Sequence, residues 1–231
     1  MTAPASTPQM ESGLVYVVDD DAAIRTALDS LLRSLGLRVQ VFARVADFLA
    51  RDAAEPGPTC LVLDVRLPDI NGLDLLHAAS RTGGHPLPPT IMITGHGDIP
   101  MSVRAMKAGA VEFLSKPFRE GDLLRAINEA LVRDRAEHHA REELTILRTR
   151  YASLTRREHE VLHAVVDGLL NKQIAAQLGM SEATVKQHRA QVMRKMGLST
   201  LAMLVRSMER LIRSTDGLTG SVGTNSVQSG T

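Results

Sequence analysis

A chain of 231 residues that is 44% hydrophobic, with 27 Lys plus Arg against 26 Asp plus Glu, has the apolar mass for one large or two small domains and is too apolar for a disordered or collagen-like chain. Its longest apolar runs, such as Leu14–Val18 and Leu201–Val205, fall far short of the roughly 18 residues that a membrane span requires. The opening MTAPASTPQMES has no basic residue and no apolar core, so no secretory signal is expected, no membrane partner, and a cytoplasmic location. A single cysteine, Cys60, excludes an internal disulfide framework and a multi-cysteine zinc site.

The near-neutral total hides an asymmetry. Residues 151–213 carry ten Lys/Arg against five Asp/Glu, whereas residues 1–150 carry seventeen against twenty. The C-terminal third is therefore a basic module, for which a nucleic-acid partner and a merely solvated face are both open explanations. Charge of this kind needs a binding motif beside it.

In chain order, residues 1–13 are expected to be disordered, and residues 14–133 alternate strand and helix patterns. Short β-rich runs lie at Leu14–Val18, Arg38–Phe42, Cys60–Leu63, Thr90–Ile93 and Glu112–Leu114, with amphipathic stretches such as Ala22–Leu35 and Ile99–Ala108 between them and a helix at Glu120–Val132. This alternation predicts an α/β, doubly wound, five-stranded parallel sheet, and the uninterrupted apolar strands fit a sheet covered on both faces. Residues 134–150 are charge-dense without Gly or Pro, and Leu144, Leu147 and Tyr151 mark a helical stripe, as in a helical linker. Residues 151–213 show no strand pattern and are punctuated by Gly168, Gly179 and Gly197, which predicts a small all-α, four-helix domain. The tail, 214–231, has twelve Ser, Thr or Gly among eighteen residues and is expected to be disordered.

The polar residues of the first domain collect where its strands end. Ligands of an open parallel sheet bind beyond the carboxyl ends of its strands. Asp19 and Asp20 follow the first strand, Asp64 ends the third, Thr94 ends the fourth, and Lys116-Pro117 follows the fifth; Asp21 is placed to cap the first helix. Carboxylates packed together repel, so a hard cation such as Mg²⁺ is their natural neutraliser. One of the aspartates is then able to act as a nucleophile towards a phosphoryl group, with the lysine pairing the new charge.

VVDD, LVLDVRLPDINGLDLL, MITGHGD and FLSKPF resemble the flavodoxin-like receiver domain of two-component response regulators over about 120 residues. The resemblance implies that Asp64 is the phosphoacceptor, that Asp19, Asp20, Asp64 and the backbone carbonyl of Arg66 organise Mg²⁺, and that Lys116 contacts the phosphoryl group. It further implies a cis bond before Pro117, and Thr94 and Phe113 as the hydroxyl and aromatic pair of a switch. Val103 and Lys107 are candidates for a dimer face. A haloacid dehalogenase-type phosphatase also places a nucleophilic Asp after a strand, but it needs a second carboxylate two residues on, where this chain has Arg66. Cys60 fits a small buried hydrophobe, and His96, His138 and His139 have no ligand spacing.

In the basic module Thr155 and Glu158 have capping-box spacing, Asn171–Leu178 forms a short helix, Gly179 permits a tight turn and Ser181 caps a helix to Met196. This is helix-turn-helix spacing. At 100° per residue Val185, Val192 and Met196 fall on one side, and Lys186, Gln187, Ala190, Gln191 and Arg194 on the other. Lys and Gln can reach base edges, Thr184, His188, Arg189 and Lys195 are placed to reach phosphates, and Asn171 and Lys172 to anchor the preceding helix on DNA. The string LTRREHEVLHAVVDGLLNKQIAAQLGMSEATVKQHRAQVMRKMG resembles the LuxR-type DNA-binding domain, whose fourth, dimerising helix would be Thr200–Ile212. An RNA-binding output is disfavoured because residues 155–213 contain no Phe, Tyr or Trp for stacking. Together the two resemblances imply the NarL/FixJ class: a phosphorylation-activated regulator with a sensor histidine kinase, double-stranded DNA and RNA polymerase as partners. It would act as a homodimer and not as a metabolic enzyme.

Overall fold

The computed structural model describes residues 12–51, 57–82 and 87–219, with Thr82 and residues 215–219 described by backbone alone. The first unit runs β1 (Leu14–Val18), α1 (Ala22–Ser34), β2 (Arg38–Phe42), α2 (Val45–Leu49), β3 (Thr59–Asp64), α3 (Gly72–Thr82), β4 (Thr90–Thr94), α4 (Ile99–Lys107), β5 (Glu112–Ser115) and the start of α5 (Glu120–Ala152). All five strands are parallel, in the order β2-β1-β3-β4-β5.

The period of two in each strand sorts its side chains between two cores. Leu14, Tyr16, Val18, Leu61, Leu63 and Met92 pack with residues of α2, α3 and α4, among them Phe48, Leu73, Leu76 and Ala105. Val15, Val17, Cys60, Val62, Ile91 and Ile93 pack with α1 and α5 through Leu28, Leu32, Leu123, Ile127 and Leu131. With both faces covered, β1 and β4 are buried at every position, whereas β2, at the edge, is fully buried only at Val39. The expected α/β doubly wound sheet is therefore the one observed, and Asp21 caps α1 by accepting from the N–H groups of Ala23 and Ile24. Burial pushes the Cys60 thiol far up, as a structural cysteine requires.

The helix expected to stop at Val132 and the linker expected at 134–150 are a single helix, α5. Its residues 122–152 contain neither Gly nor Pro, and Arg133–Glu137 and His138–Asp134 pairs, 3.0 and 3.4 Å, join successive turns. The chain's two compact units divide between His139 and Ala140, inside this helix, so the expected linker is shared between them.

The second unit adds α6 (Arg156–Val166), α7 (Asn171–Leu178), α8 (Glu182–Met196) and α9 (Leu201–Thr219) around a core that includes Leu147, Val161, Leu162, Ile174, Val185, Val192, Met196, Leu204 and Met208. The capping box at Thr155 and Glu158 is formed. Gly179 ends α7 with φ +64°, a left-handed conformation that an L side chain rarely adopts. α9 continues to Thr219 where the sequence predicts a disordered tail from 214, and the Ser214 carbonyl accepts from Arg148 at 3.5 Å. Residues 1–11 and 220–231, the rest of the segments expected to be disordered, lie outside the described residues. No helix among the described residues is long and apolar enough to cross a membrane.

One buried carboxylate fastens α5 to the sheet. Asp134, 3% exposed, accepts from Thr59 N at 2.7 Å and Thr59 Oγ1 at 3.1 Å. Asp134→Ala leaves the first N–H of β3 without its acceptor and is expected to cost about 1–3 kcal/mol. A urea titration of the first unit should show a lower midpoint at unchanged slope, with Asp134→Asn falling between the variant and the parent.

Candidate functional site

The rim forms because β1 and β3 lie side by side where the strand order reverses. Asp19 is fully buried, Asp64 is 6% exposed, and Asp20 lies exposed at the mouth. Lys116 Nζ stands 2.6 Å from Asp19 Oδ2 and 2.6 Å from Asp64 Oδ2. The second oxygens are also engaged: Asp19 Oδ1 accepts from Asp21 N and Asp64 Oδ1 from Arg66 N, each at 2.9 Å. Arg25 of α1 donates to the Asp19 carbonyl at 2.7 Å, a contact that sequence pattern gives no hint of. The Lys116–Pro117 bond is cis, as the resemblance implies.

Burial pushes the Asp19 carboxyl above its ordinary value, against the pull of Lys116 and the Asp21 N–H. Burial also pushes Lys116 down, but its hydrogen bonds to Asp19 and Asp64 outweigh that and keep it firmly charged. Three carboxylates face Lys116 and Arg25, which leaves negative charge in excess. Ligand atoms of Asp19, Asp20 and Asp64 lie within 4.8 Å of one another, and an all-oxygen donor set of this size suits a hard divalent cation.

Thr94 is fully buried, and its Oγ1 accepts from His96 N at 3.2 Å. Phe113 is half-buried against the first core. A glycine missing from the sequence-based reading joins the pair: a Cβ at Gly97 would lie 2.9 Å from Phe113 Cε1 and 3.1 Å from Thr94 Cγ2. Gly72 is a second, since a Cβ there would stand 2.3 Å from the Asp64 carbonyl oxygen, so any side chain would displace Asp64. On α4, Val103 is exposed, as are Lys107, Ile99 and Met106.

In the second unit α7, the turn through Gly179 and Met180, and α8 make the expected helix-turn-helix. Lys186, Gln187, Ala190 and Arg194 are exposed on α8, with Thr184, His188 and Gln191 half-buried beside them; Lys172 is exposed on α7. Thr184 Oγ1 hydrogen-bonds Ser181 Oγ, and Arg194 donates to Gln191 on the outer face. Two residues expected to reach phosphates, both half-buried, have partners within the unit. Arg189 donates to Asn171 Oδ1 at 2.7 Å, which ties α8 to α7 and also occupies Asn171, while Lys195 pairs with the buried Glu158 at 2.6 Å. Both positions lie within about 60° of the buried Val185–Val192 stripe, three or four residues along the helix. The stripe decides their orientation more than their charge does.

An acidic rim with one lysine on a doubly wound sheet, carried on the same chain as a basic helix-turn-helix, is the plan of a signal receiver with a DNA-binding output. The sequence matches the response regulator receiver domain over residues 15–128 and the LuxR family of bacterial regulatory proteins over residues 152–208. It is 47% identical over 201 residues to the response regulator protein TmoT of Ectopseudomonas mendocina, covering 87% of this chain and 90% of that one. With the transcriptional regulatory protein FixJ of Azorhizobium caulinodans it shares 43% identity over 197 residues, covering 85% and 92%. The solved structure of the response regulator StyR matches with a TM-score of 0.74 at 45% identity, covering 86% of this chain and 98% of that chain. The chain belongs to the NarL/FixJ class of response regulators: a receiver joined to a LuxR-type DNA-binding domain, a transcriptional regulator of a two-component system.

The Glu158–Lys195 pair gives the DNA-binding unit a defined pH response. Burial pushes the Glu158 carboxyl up, but Lys195 and the hydrogen bonds with Thr155 hold it below the ordinary glutamate value. A depressed folded value stabilises the unit above the unfolded pKa, near 4.3, and the contribution is lost as pH falls through the folded value. Glu158→Gln should therefore lower the thermal midpoint of this unit at pH 7, and the gap to the parent should close as the buffer is taken down towards pH 3.

Proposed function

We propose that Asp64 takes a phosphoryl group from the phosphohistidine of a sensor histidine kinase, and that the phosphorylated chain dimerises and binds a two-fold operator. The reading is carried by the double ion pair of Lys116 with Asp19 and Asp64, 2.6 Å to each. It holds a nucleophilic carboxylate and a cation in one place. An Asp64 oxygen forms the O–P bond as the donor's P–N bond breaks, and the departing imidazole takes a proton from solvent. Asp19, Asp20, Asp64 and the Arg66 carbonyl would hold Mg²⁺, which when bound offsets the rim's negative charge and draws phosphate oxygens close. Lys116 then pairs with an added charge of about −1.5 to −2. Attack by water on the same phosphoryl group returns the receiver to its resting state, so the only chemistry is on the chain itself.

An apolar groove of about 560 Å³ opens beside Lys116, lined by Ile24, Leu28 and Leu31 of α1 and by Pro117 and Phe118. Lys116, which lines it, is also the partner of Asp64, and the kinase's phosphohistidine-bearing domain is the partner that must approach there. Thr94 turns its hydroxyl to the phosphoryl group and Phe113 follows into the space released. The α4–β5 face with Val103 and Lys107 then changes shape, and its exposed apolar side chains become a dimer interface. In the output unit Lys186 and Gln187 read base edges from α8, alongside Ala190, Gln191 and Arg194. Lys172, Thr184 and His188 meet phosphates, with Asn171 at the start of α7. The functional pieces are a receiver over 14–133, a helical connection over 134–150 and a DNA-binding domain over 151–213, working in the cytoplasm on transcription by RNA polymerase.

Acetyl phosphate with Mg²⁺ should phosphorylate the parent and Thr94→Ala but not Asp64→Asn, resolved on phosphate-affinity gels. Sedimentation velocity should show association of the phosphorylated parent only. Phosphorylated Asp64→Asn, or a phosphorylated parent that stays monomeric with unchanged DNA affinity, would overturn this scheme.

For the DNA face, Lys186→Ala or Gln187→Ala should lower discrimination between a selected duplex and a random one. Log affinity for either DNA should fall with log salt by roughly 0.9 per phosphate neutralised. Equal losses on both duplexes would remove the base-reading role.

A further inference from the structure

The C-terminal end of α8 is held by a residue from outside the helix-turn-helix. Arg150, in the last turn of α5, donates from Nη1 to the Met196 carbonyl at 3.1 Å. Met196 is the last residue of α8, so its carbonyl is one of those that a helix leaves without an internal donor, and the guanidinium also meets the negative end of the helix dipole. The fit is close. A Cβ at Gly197 would stand 2.5 Å from Arg150 Nη1 and 2.8 Å from its Cζ, and Gly197 has φ +67°.

Further contacts fasten the same stretch of α5 to the DNA-binding unit. Leu147 is 7% exposed in its core, with Leu144 and Tyr151 packed alongside. Glu143 pairs with Arg210 at 3.0 Å, and Arg148 reaches the Ser214 carbonyl.

We propose that residues 140–152 are a fifth helix of the DNA-binding unit and that Arg150 is a positioning residue for base readout, pinning the C-terminal end of α8. The inference rests on the reading of α8 as the recognition helix. α8 has 15 residues, a rod of about 22 Å. Its exposed Lys186 and Gln187 lie towards the N-terminal end. Its direction depends on contacts along its length: Ser181 at the start, Arg189 on Asn171 in the middle, and, at the end, Arg150 on the Met196 carbonyl and Lys195 on Glu158. Release of Arg150 loosens that end and lets the rod tilt slightly, with the Lys195–Glu158 pair and the buried Met196 still in place. Hydrogen bonds to base edges need a defined direction, whereas attraction to phosphates depends mainly on charge and tolerates a small tilt.

The test uses the full chain, treated with acetyl phosphate, a duplex that the parent selects from a random pool, and a random duplex of equal length. Arg150→Gln should lose about tenfold in affinity for the selected duplex, the scale of one charge-assisted hydrogen bond. Affinity for the random duplex and phosphate uptake should be unchanged. Arg150→Lys, which keeps a donor and the charge, should recover part of the discrimination. Gly197→Ala pushes the guanidinium aside and also strains the left-handed turn, so it should lower the thermal midpoint and lose at least as much discrimination, and removing Arg150 as well should add no further loss of discrimination. A role confined to stability would lower both affinities in step with the thermal midpoint, and that outcome, or unchanged discrimination in Arg150→Gln, overturns the proposal. A parent that selects no duplex at all would remove the recognition-helix reading itself, and the proposal with it.

Discussion

The ammonium of Lys116 stands between two buried carboxylates that repel each other, and much of the first unit is arranged to keep it there. β1 delivers Asp19, β3 delivers Asp64, and the segment after β5 delivers Lys116, whose N–H is anchored on the Thr94 carbonyl at 2.7 Å. Without the lysine the sheet would bury two like charges side by side, an arrangement that proteins avoid by protonation or unfolding. The triad therefore also constrains register. Val18 pairs with Leu63 and Asp64 with Ile93. A slip of one residue would send each carboxylate to the opposite face and its apolar neighbours into the rim.

The second unit uses a related device for a different end. Glu158 is buried at the start of α6, and Lys195 comes in from α8 to meet it. Arg156 and Arg157 are taken up by Glu160, and Arg210 by Glu143. Of these pairs only Lys195–Glu158 involves a buried group; the others lie at the surface. Lys172, Lys186 and Arg194 remain exposed on α7 and α8. Which of the basic residues lie on the helix-turn-helix is set by the fold, and a count of charges along the sequence cannot reveal it.

Legibility in the sequence followed burial. β1, β3 and β4 are covered on both faces, so they stand out as unbroken apolar runs, and the polar residues that end them mark the rim directly. α2 is five residues long and has no side-chain cap, so it leaves no periodic or capping signal. Gly72, Gly97 and Arg25 matter through close approach across turns, to Asp64, to Phe113 and Thr94, and to Asp19, and no periodic pattern encodes such an approach. Arg189 and Lys195 show what residue type alone does not: both fall beside the Val185–Val192 stripe, where Asn171 and Glu158 supply acceptors. The extent of α5 was obscured because dense charge suggests a linker, although nothing in its composition stops a helix.

The proposed switch sets a rigid reaction centre beside a loosely held reporter. Gly97 lies against Thr94 and Phe113 with no room for a Cβ, so the loop from β4 to α4 rests directly on both side chains. A Thr94 hydroxyl that donates to a phosphoryl oxygen can still accept from the His96 N–H, and the loop then travels with it. That loop ends at Asp98, whose side chain caps α4 through Met101 N at 2.7 Å. α4 itself has one fully buried side chain, Ala105, while Ile99, Val103 and Met106 remain exposed. An element with so little buried apolar surface is inexpensive to shift compared with the strands beside it. The backbone of the β4–α4 loop, more than the rotation of Phe113 alone, would thus carry a change at Asp64 to the α4–β5 face.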